Sequence, residues 1–351
     1  MKFATVHIVG TVLSVGASLL SASALAAVFP LKSDDLSLSH RYKTSDHATG
    51  GNQEFAQDIV AVRPIGNDKW SGLIADGADK TVNSNHLIYG RKVYAMVSGT
   101  IYNCWRNAPD NTKAGTKDPD VISHYIGVGG NAVVIKTADG VYAKHSHMIP
   151  GSVPSAICPH NKTRFDAPSG STFPPEAMVT NGVKVVKGQF LGLAGNSGNS
   201  GGPHLHVHML KDGDPYEMKF EHGQTTPYTD ETASPNGPWT LLKGNALPTG
   251  PILIWAPRST GHWYVNNITG AGFQGWFNHM KDSGQMPESL ACSNGGALYN
   301  TEWVPSQGAW VARAGMTATE MATQTNSLAL QGYSQYKWWY CDASRSAIWR
   351  K

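Results

Sequence analysis

Gly195–His208 reads Gly-Asn-Ser-Gly-Asn-Ser-Gly-Gly-Pro-His-Leu-His-Val-His. Its first part is built of small, turn-forming residues, which suits a loop that brings backbone close to something else. From His204 to His208 polar and apolar residues alternate, which is the period of a strand. Residues two apart on a strand project from one face, so His204, His206 and His208 make a row of imidazoles. Such a row contributes little to a core, and it points to a metal, a proton or a ligand. A lone His-x-His also occurs on solvated strands, and it is the glycine loop in front that favours a site.

Working outward, the flanking sequence is strand and turn. Lys92–Val97 leads through Ser98-Gly99 into Thr100–Tyr102. Ala132–Ile135 and Val141–Ala143 flank an Asp139-Gly140 turn, the signature of a hairpin. Val183–Val186 and Gln189–Ala194 read as further strands, and no long helical period interrupts them. The expected fold is mainly β, an antiparallel sheet with long loops at 71–87, 103–123 and 150–181. Loops of that length are more often functional than idle, and walls of a substrate groove are one reading, stabilising decoration the other.

The ends of the chain differ in character. Lys2, the apolar run Val6–Leu20 and Ala24-Leu25-Ala26 resemble a secretory signal with a small-x-small cleavage site, so residues 1–26 are expected to be removed. No second membrane-length run follows, and the mature protein is expected to be soluble, exported and monomeric. Export makes Cys104, Cys158, Cys292 and Cys341 candidates for disulfides, and locality favours Cys104–Cys158 and Cys292–Cys341. With 28 basic and 25 acidic residues among 351, nothing points to nucleic acid. Residues 224–250, rich in Thr, Pro, Gly, Asn and Ser, are expected to be a linker between a domain at 27–223 and a Trp-rich module at 251–351.

That module looks duplicated. Phe273, Trp276, Phe277 and Met280 have helical spacing, with Gly284 as a stop. Thr317 and Glu320 form a capping box for a second helix ending near Gly332. Each helix is followed by a cysteine, Cys292 or Cys341, and then by a tryptophan, Trp303 or Trp349, a small α+β repeat. The aromatic stripes are read as core.

If the histidine row holds a metal, other donors must meet it. His145-Ser146-His147-Met148 ends one strand, and His47 and Asp58 lie upstream. A catalytic zinc takes three N/O ligands and leaves a position for water. His47, Asp58 and one histidine of the row would supply them.

The chain here resembles the lysostaphin/LytM and β-lytic zinc endopeptidases. The resemblance rests on the glycine loop with His204-Leu205-His206, the Val-Lys-Gly-Gln-Phe-Leu-Gly hairpin before it, Ser146-His147-Met148, and the Lys92–Gly99 strand. It covers about residues 40–212 and implies a fold like the family's duplicated hybrid motif. It implies that Asp58 and His206 ligate zinc and that His204 and His147 are catalytic without being ligands. In many members the third ligand is a histidine four residues before the aspartate, and Glu54 stands there. The longer glycine-containing spacer of the β-lytic subgroup fits His47, which is the preferred third ligand. His208 replaces a family glutamate and is read as a solvated neighbour, while His145 is expected to line the cleft. The resemblance implies hydrolysis of peptide bonds, with Gly-containing cross-links of bacterial peptidoglycan as substrate. His204 would act as base, and His147 would help stabilise the oxyanion. Trp310–Thr317 and Ala347-Ile348-Trp349 are similar to the bacterial tandem repeats of polyglycine hydrolases.

Two other classes compete. An inactive relative would serve as a binding or regulatory module and would show lost ligands. A cupin-like barrel also uses His-x-His, but wants a glutamate a few residues on, where Met209, Leu210, Lys211 and Asp212 follow.

Overall fold

The computed structural model describes residues 9–10, 26–37, 39–47, 50–118, 129–167, 171–235, 237–242, 244–256, 262–282 and 285–351. Most of the expected signal segment 1–26 lies outside these, as do Gly284 and part of the loop 103–123. Among the described residues no helix is long and apolar enough to cross a membrane. The chain divides into two compact units, one of them Ala24–Ala256 and the other holding Pro257–Lys351.

The first unit is built on an antiparallel sheet. Its strands are β1 (Arg41–Asp46), β2 (Gln57–Gly66), β3 (Gly99–Trp105), β4 (Asn131–Lys136), β5 (Val141–Met148), β6 (Leu205–Lys211), β7 (Gln224–Pro227) and β8 (Ile252–Trp255). They lie in the order β3-β4-β5-β6-β2-β1-β8-β7, flanked by Lys184–Val185 beside β3 and Thr240–Leu241 beside β7. The β4–β5 hairpin forms as the Asp139-Gly140 turn predicts. Gly140 has φ +84°, and the Thr137 hydroxyl accepts from Val141 N–H at 2.9 Å.

β6 explains the position of the site. Leu205, Val207 and Met209 alternate into the main core with at most 1% exposure, and the histidines turn to the opposite face. β6 pairs on one side with β2, His206 opposite Asp58, and on the other with β5, His206 opposite Ser146 and His208 opposite Lys144. Apolar alternation therefore sets which residues leave the core, and antiparallel pairing sets which of them meet.

The expected linker is not one. Residues 224–227 and 252–255 pair as β7 and β8, and β8 pairs in turn with β1. Gln224, Thr225 and Thr226 are buried in this sheet. Their polar composition imitates a linker because ladder bonds satisfy the backbone whatever the side chains are.

The second unit repeats one motif of strand, helix, strand, strand. The first copy is β9 (Trp263–Thr269), α1 (Gly270–Asp282), β10 (Gln285–Ser293) and β11 (Leu298–Pro305). The second is β12 (Trp310–Met316), α2 (Ala318–Ala329), β13 (Ser334–Cys341) and β14 (Ser344–Arg350). In each copy the last strand lies between the other two. Phe277 packs edge-on against Trp303 at 5.3 Å between ring centres. Trp303 and Trp349, equivalent by the repeat, are fully buried. Thr317 and Glu320 form the reciprocal capping box at α2. Not all the aromatics are core, for Tyr336, Trp338 and Tyr340 alternate along β13 on an exposed face.

Both expected disulfides are present. Cys292–Cys341 ties the two repeats together, and Cys104–Cys158 closes a separation of 54 residues. A closed loop of that length restricts the unfolded chain by about 4 kcal/mol in the chain-entropy model. Replacing Cys104 and Cys158 together by serine is expected to lower unfolding stability by about 2–4 kcal/mol. Urea unfolding of the two proteins checks this, and an unchanged midpoint would contradict it.

Candidate metal centre and active site

The glycine loop is held at its base and from within. His204 N–H donates to Gly195 O at 3.2 Å. Asn111, fully buried, donates from its amide to Asn196 O at 2.7 Å and Gly198 O at 2.9 Å. Gly130 and Gly198, at φ +59° and +78°, meet backbone to backbone. A Cβ on Gly130 would lie 2.4 Å from Ser197 C, and one on Gly198 would lie 2.3 Å from Gly130 N, so neither position admits a side chain. Ser197 Oγ donates to Met148 O and accepts from Asn131 N–H, at 2.7 and 3.0 Å. Asn111, Asn131 and Ser197 escaped the sequence reading, because a buried asparagine in a polar loop looks like any turn residue.

This loop fixes His147. Its φ of +66° lies in the left-handed region, which for a non-glycine residue costs on the order of 1 kcal/mol or more. Three hydrogen bonds hold it there. His147 N–H donates to Gly129 O and its carbonyl accepts from Gly195 N–H, both at 2.9 Å. Its ring Nδ1 lies 2.7 Å from Ser197 O. A carbonyl can only accept, so Nδ1 carries the proton and Nε2 is left bare in the neutral ring. His204 is set up the same way, with Nδ1 donating to Gly202 O at 2.8 Å. The two rings lie 4.6 Å apart between centres.

His47, Asp58, His147, His204 and His206 all line one cleft of about 290 Å³. Three imidazole nitrogens crowd one oxygen, Asp58 Oδ1. They are His206 Nδ1 at 2.9 Å, His47 Nε2 at 3.0 Å and His204 Nε2 at 3.4 Å. His47 Nε2, buried, has no well-directed hydrogen bond despite that distance. Among the described residues His47, Asp58 and His206 are the group whose donor atoms lie within 4.8 Å of one another, close enough to share an ion. Two neutral imidazoles, one carboxylate and an orphaned lone pair suit a zinc ion. Glu54, the alternative third ligand, lines a separate cavity with Asp46, Phe55 and Met218.

Two histidines depart from expectation. His208 is not solvated: it is 2% exposed, and its Nδ1 lies 2.9 Å from His206 Nε2. Its Nε2 is buried without a partner. His145 does not line the cleft. It points into the core, where its Nε2 accepts from Met96 N–H at 3.3 Å. The reason is strand parity, since His145 pairs with core-facing Val207 while Lys144 and Ser146 face the other way.

The charges follow the geometry. Burial alone would raise the Asp58 carboxyl, but the three imidazoles crowded around it, of His204, His206 and His47, outweigh burial and hold the group well below the carboxylate range. The Asp58 carboxylate beside it raises His47. Burial pushes His206 and His145 down to about 4, and His147 and His208 well below 6.5. These four histidines therefore stay neutral in the native protein while the unfolded chain protonates them near 6.5. Their stability is fully present above that pH and is lost as the pH falls towards about 4, with His47 opposing in part. Chelator-treated protein is expected to melt at a constant temperature above neutrality and at falling temperatures below it. Thermal melts in a pH series check this, and a flat profile down to pH of about 4.5 would contradict it.

Residues 265–306 and 307–334 match the family of polyglycine hydrolase-like structural repeats. No curated protein sequence matches the chain significantly. Solved structures similar to it include metallopeptidases. Pseudoalterin, an M23 metalloprotease from the deep sea, is 15% identical over 55% of this chain and 75% of its own, with a TM-score of 0.27. A zinc-containing peptidase of Vibrio cholerae is 14% identical over 46% of this chain and 48% of its own, with a TM-score of 0.22, so the chain spans about half of it. Lysostaphin, the antimicrobial peptidase of Staphylococcus simulans, is 13% identical over 89% of this chain and 92% of its own, with a TM-score of 0.23.

Proposed function

We propose that the protein is a secreted zinc metalloendopeptidase that hydrolyses peptide bonds, with the Gly-containing cross-links of bacterial peptidoglycan as its substrate class. The observation that carries this reading is the convergence of His47 Nε2, Asp58 Oδ1 and His206 Nδ1, beside two histidines whose bare Nε2 atoms are set by backbone carbonyls. His47, Asp58 and His206 would hold the metal. A zinc ion bound there supplies Lewis acidity and lets water ionise near neutral pH.

The chain's own groups do the rest. His204, anchored at Nδ1, accepts the proton of the attacking water at Nε2. His147 plays a modified part. Its neutral ring has no proton at Nε2, so it stabilises developing negative charge on the substrate only after taking up a proton there. His206 needs a fixed ring to present Nδ1, and a neutral ring that does so carries its one proton on Nε2, where His208 Nδ1 accepts it. Gly129 and Gly201 in the cleft wall leave room for a substrate backbone to approach closely, which suits a glycine-rich segment. Repeats of the polyglycine hydrolase-like family in the same chain are in line with that. The disulfides and the signal-like N-terminus support export.

Purified protein is expected to hold zinc one to one and to cleave a pentaglycine-containing wall peptide, with both properties lost to a strong chelator. Asp58→Ala should lose metal and activity together. His204→Ala should keep its zinc and lose about 100-fold or more in kcat. Elemental analysis and mass spectrometry of released fragments read both, and a fully active His204→Ala protein would refute the assignment. His208→Ala is expected to weaken zinc retention about 10- to 100-fold in chelator competition. His208→Gln, which keeps an acceptor, should recover part of that loss.

A further inference from the structure

Lys144 sits on the wall of the same cleft, and the chemistry above leaves it without a role. Lys144 and Ser146 on β5 lie opposite His208 and His206 on β6. All four share one face of the sheet, and Lys144, Ser146 and Gly129 line the cleft with the metal-binding group. Lys144 is only 6% exposed. Its Nζ donates to Thr172 O at 3.2 Å, and no carboxylate pairs with it among the described residues. An ammonium has three donors, so most of this one's capacity is unspent. Ser146 Oγ, beside it, is buried with no hydrogen-bond partner.

Gly129 keeps this corner open. A Cβ there would lie 3.0 Å from Lys144 Nζ and 3.3 Å from Ser146 Oγ, filling the space in front of both. Lysine is almost never buried without a partner, because desolvating a charge is expensive. Burial lowers Lys144 only to about 8, so it remains mostly charged at neutral pH. A buried cation and a spare hydroxyl on one cleft wall are both donors. They suit an acceptor with paired oxygens, not a second metal ion.

We infer that Lys144 Nζ and Ser146 Oγ form a carboxylate subsite, so that the cleft selects peptides carrying a carboxylate near the bond presented to His47, Asp58 and His206. The inference deepens the endopeptidase reading and rests on it for the identity of the ligand as a peptide. The competing role for Lys144 is only to anchor the backbone at Thr172. That role makes no distinction between charged and neutral peptides.

The test uses the full-length zinc-loaded protein and calorimetric titration. The probes are pentaglycine as free acid and as C-terminal amide, and hexaglycine amides with a single Glu or Gln at each position in turn. At least one acidic peptide is expected to bind about tenfold more tightly than its neutral twin, the size of one charge-assisted hydrogen bond. Lys144→Met should abolish that difference, and Lys144→Arg should keep part of it. Zinc content and melting temperature serve as controls for folding. Should Lys144→Met not fold, Ser146→Ala is expected to shrink the same ratio. Equal binding of every acidic and neutral pair by the wild-type protein would overturn the subsite, as would a preference that survives Lys144→Met. Cleavage of the same peptides is scored separately. Preference without cleavage retains the subsite and removes the endopeptidase reading, whereas cleavage without preference does the reverse.

Discussion

Asp58 Oδ1 has two lone pairs, and three imidazole nitrogens lie within 3.4 Å of it. That crowding is the constraint from which the rest of the unit takes its shape. It requires β2 to lie directly against β6, with Asp58 opposite His206, and β1 to end where His47 can turn back over both. The arrangement is held by charge: a carboxylate kept ionised by its neighbours, and imidazoles that share it imperfectly. A buried, unpartnered ring nitrogen on His47 is the kind of group that serves binding more than stability.

Around this point the polar interior is accounted for mainly by backbone. The glycine loop needs no hydrophobic packing to be rigid, since Asn111 takes up its carbonyls and Ser197 bridges it to Met148. Gly198 in the loop and Gly130 facing it give access, not flexibility: they let two backbones touch where any side chain would part them. His147 inherits its strained backbone from that contact, and its ring is positioned by the same bonds that hold the loop.

Much of this was legible in the residues. The alternation of His204–His208 gave a strand, the Asp139-Gly140 turn gave a hairpin, and Thr317 with Glu320 gave a capped helix, because each signal is local. His47, Asp58 and His206 could be named together only through resemblance, since no local pattern says that strands far apart in the chain lie side by side. The errors have a common physical root. The sequence does not show that His145 faces the core or that His208 is enclosed, because parity along one strand does not say which layers cover each face. The polar stretch at 224–227 read as a linker because a strand between other strands can satisfy its backbone without apolar side chains. Lys144 passed unnoticed, as a lysine in sequence carries no mark of burial.

The donors of the cradle are separated by 148 residues between Asp58 and His206. A chain still emerging from synthesis, or threaded unfolded through a translocation pore, has nothing with which to capture an ion. On the proposed function, metal uptake is therefore a late event that certifies finished strand pairing. The compartment in which such an enzyme folds would also be the one whose metal supply decides whether it works.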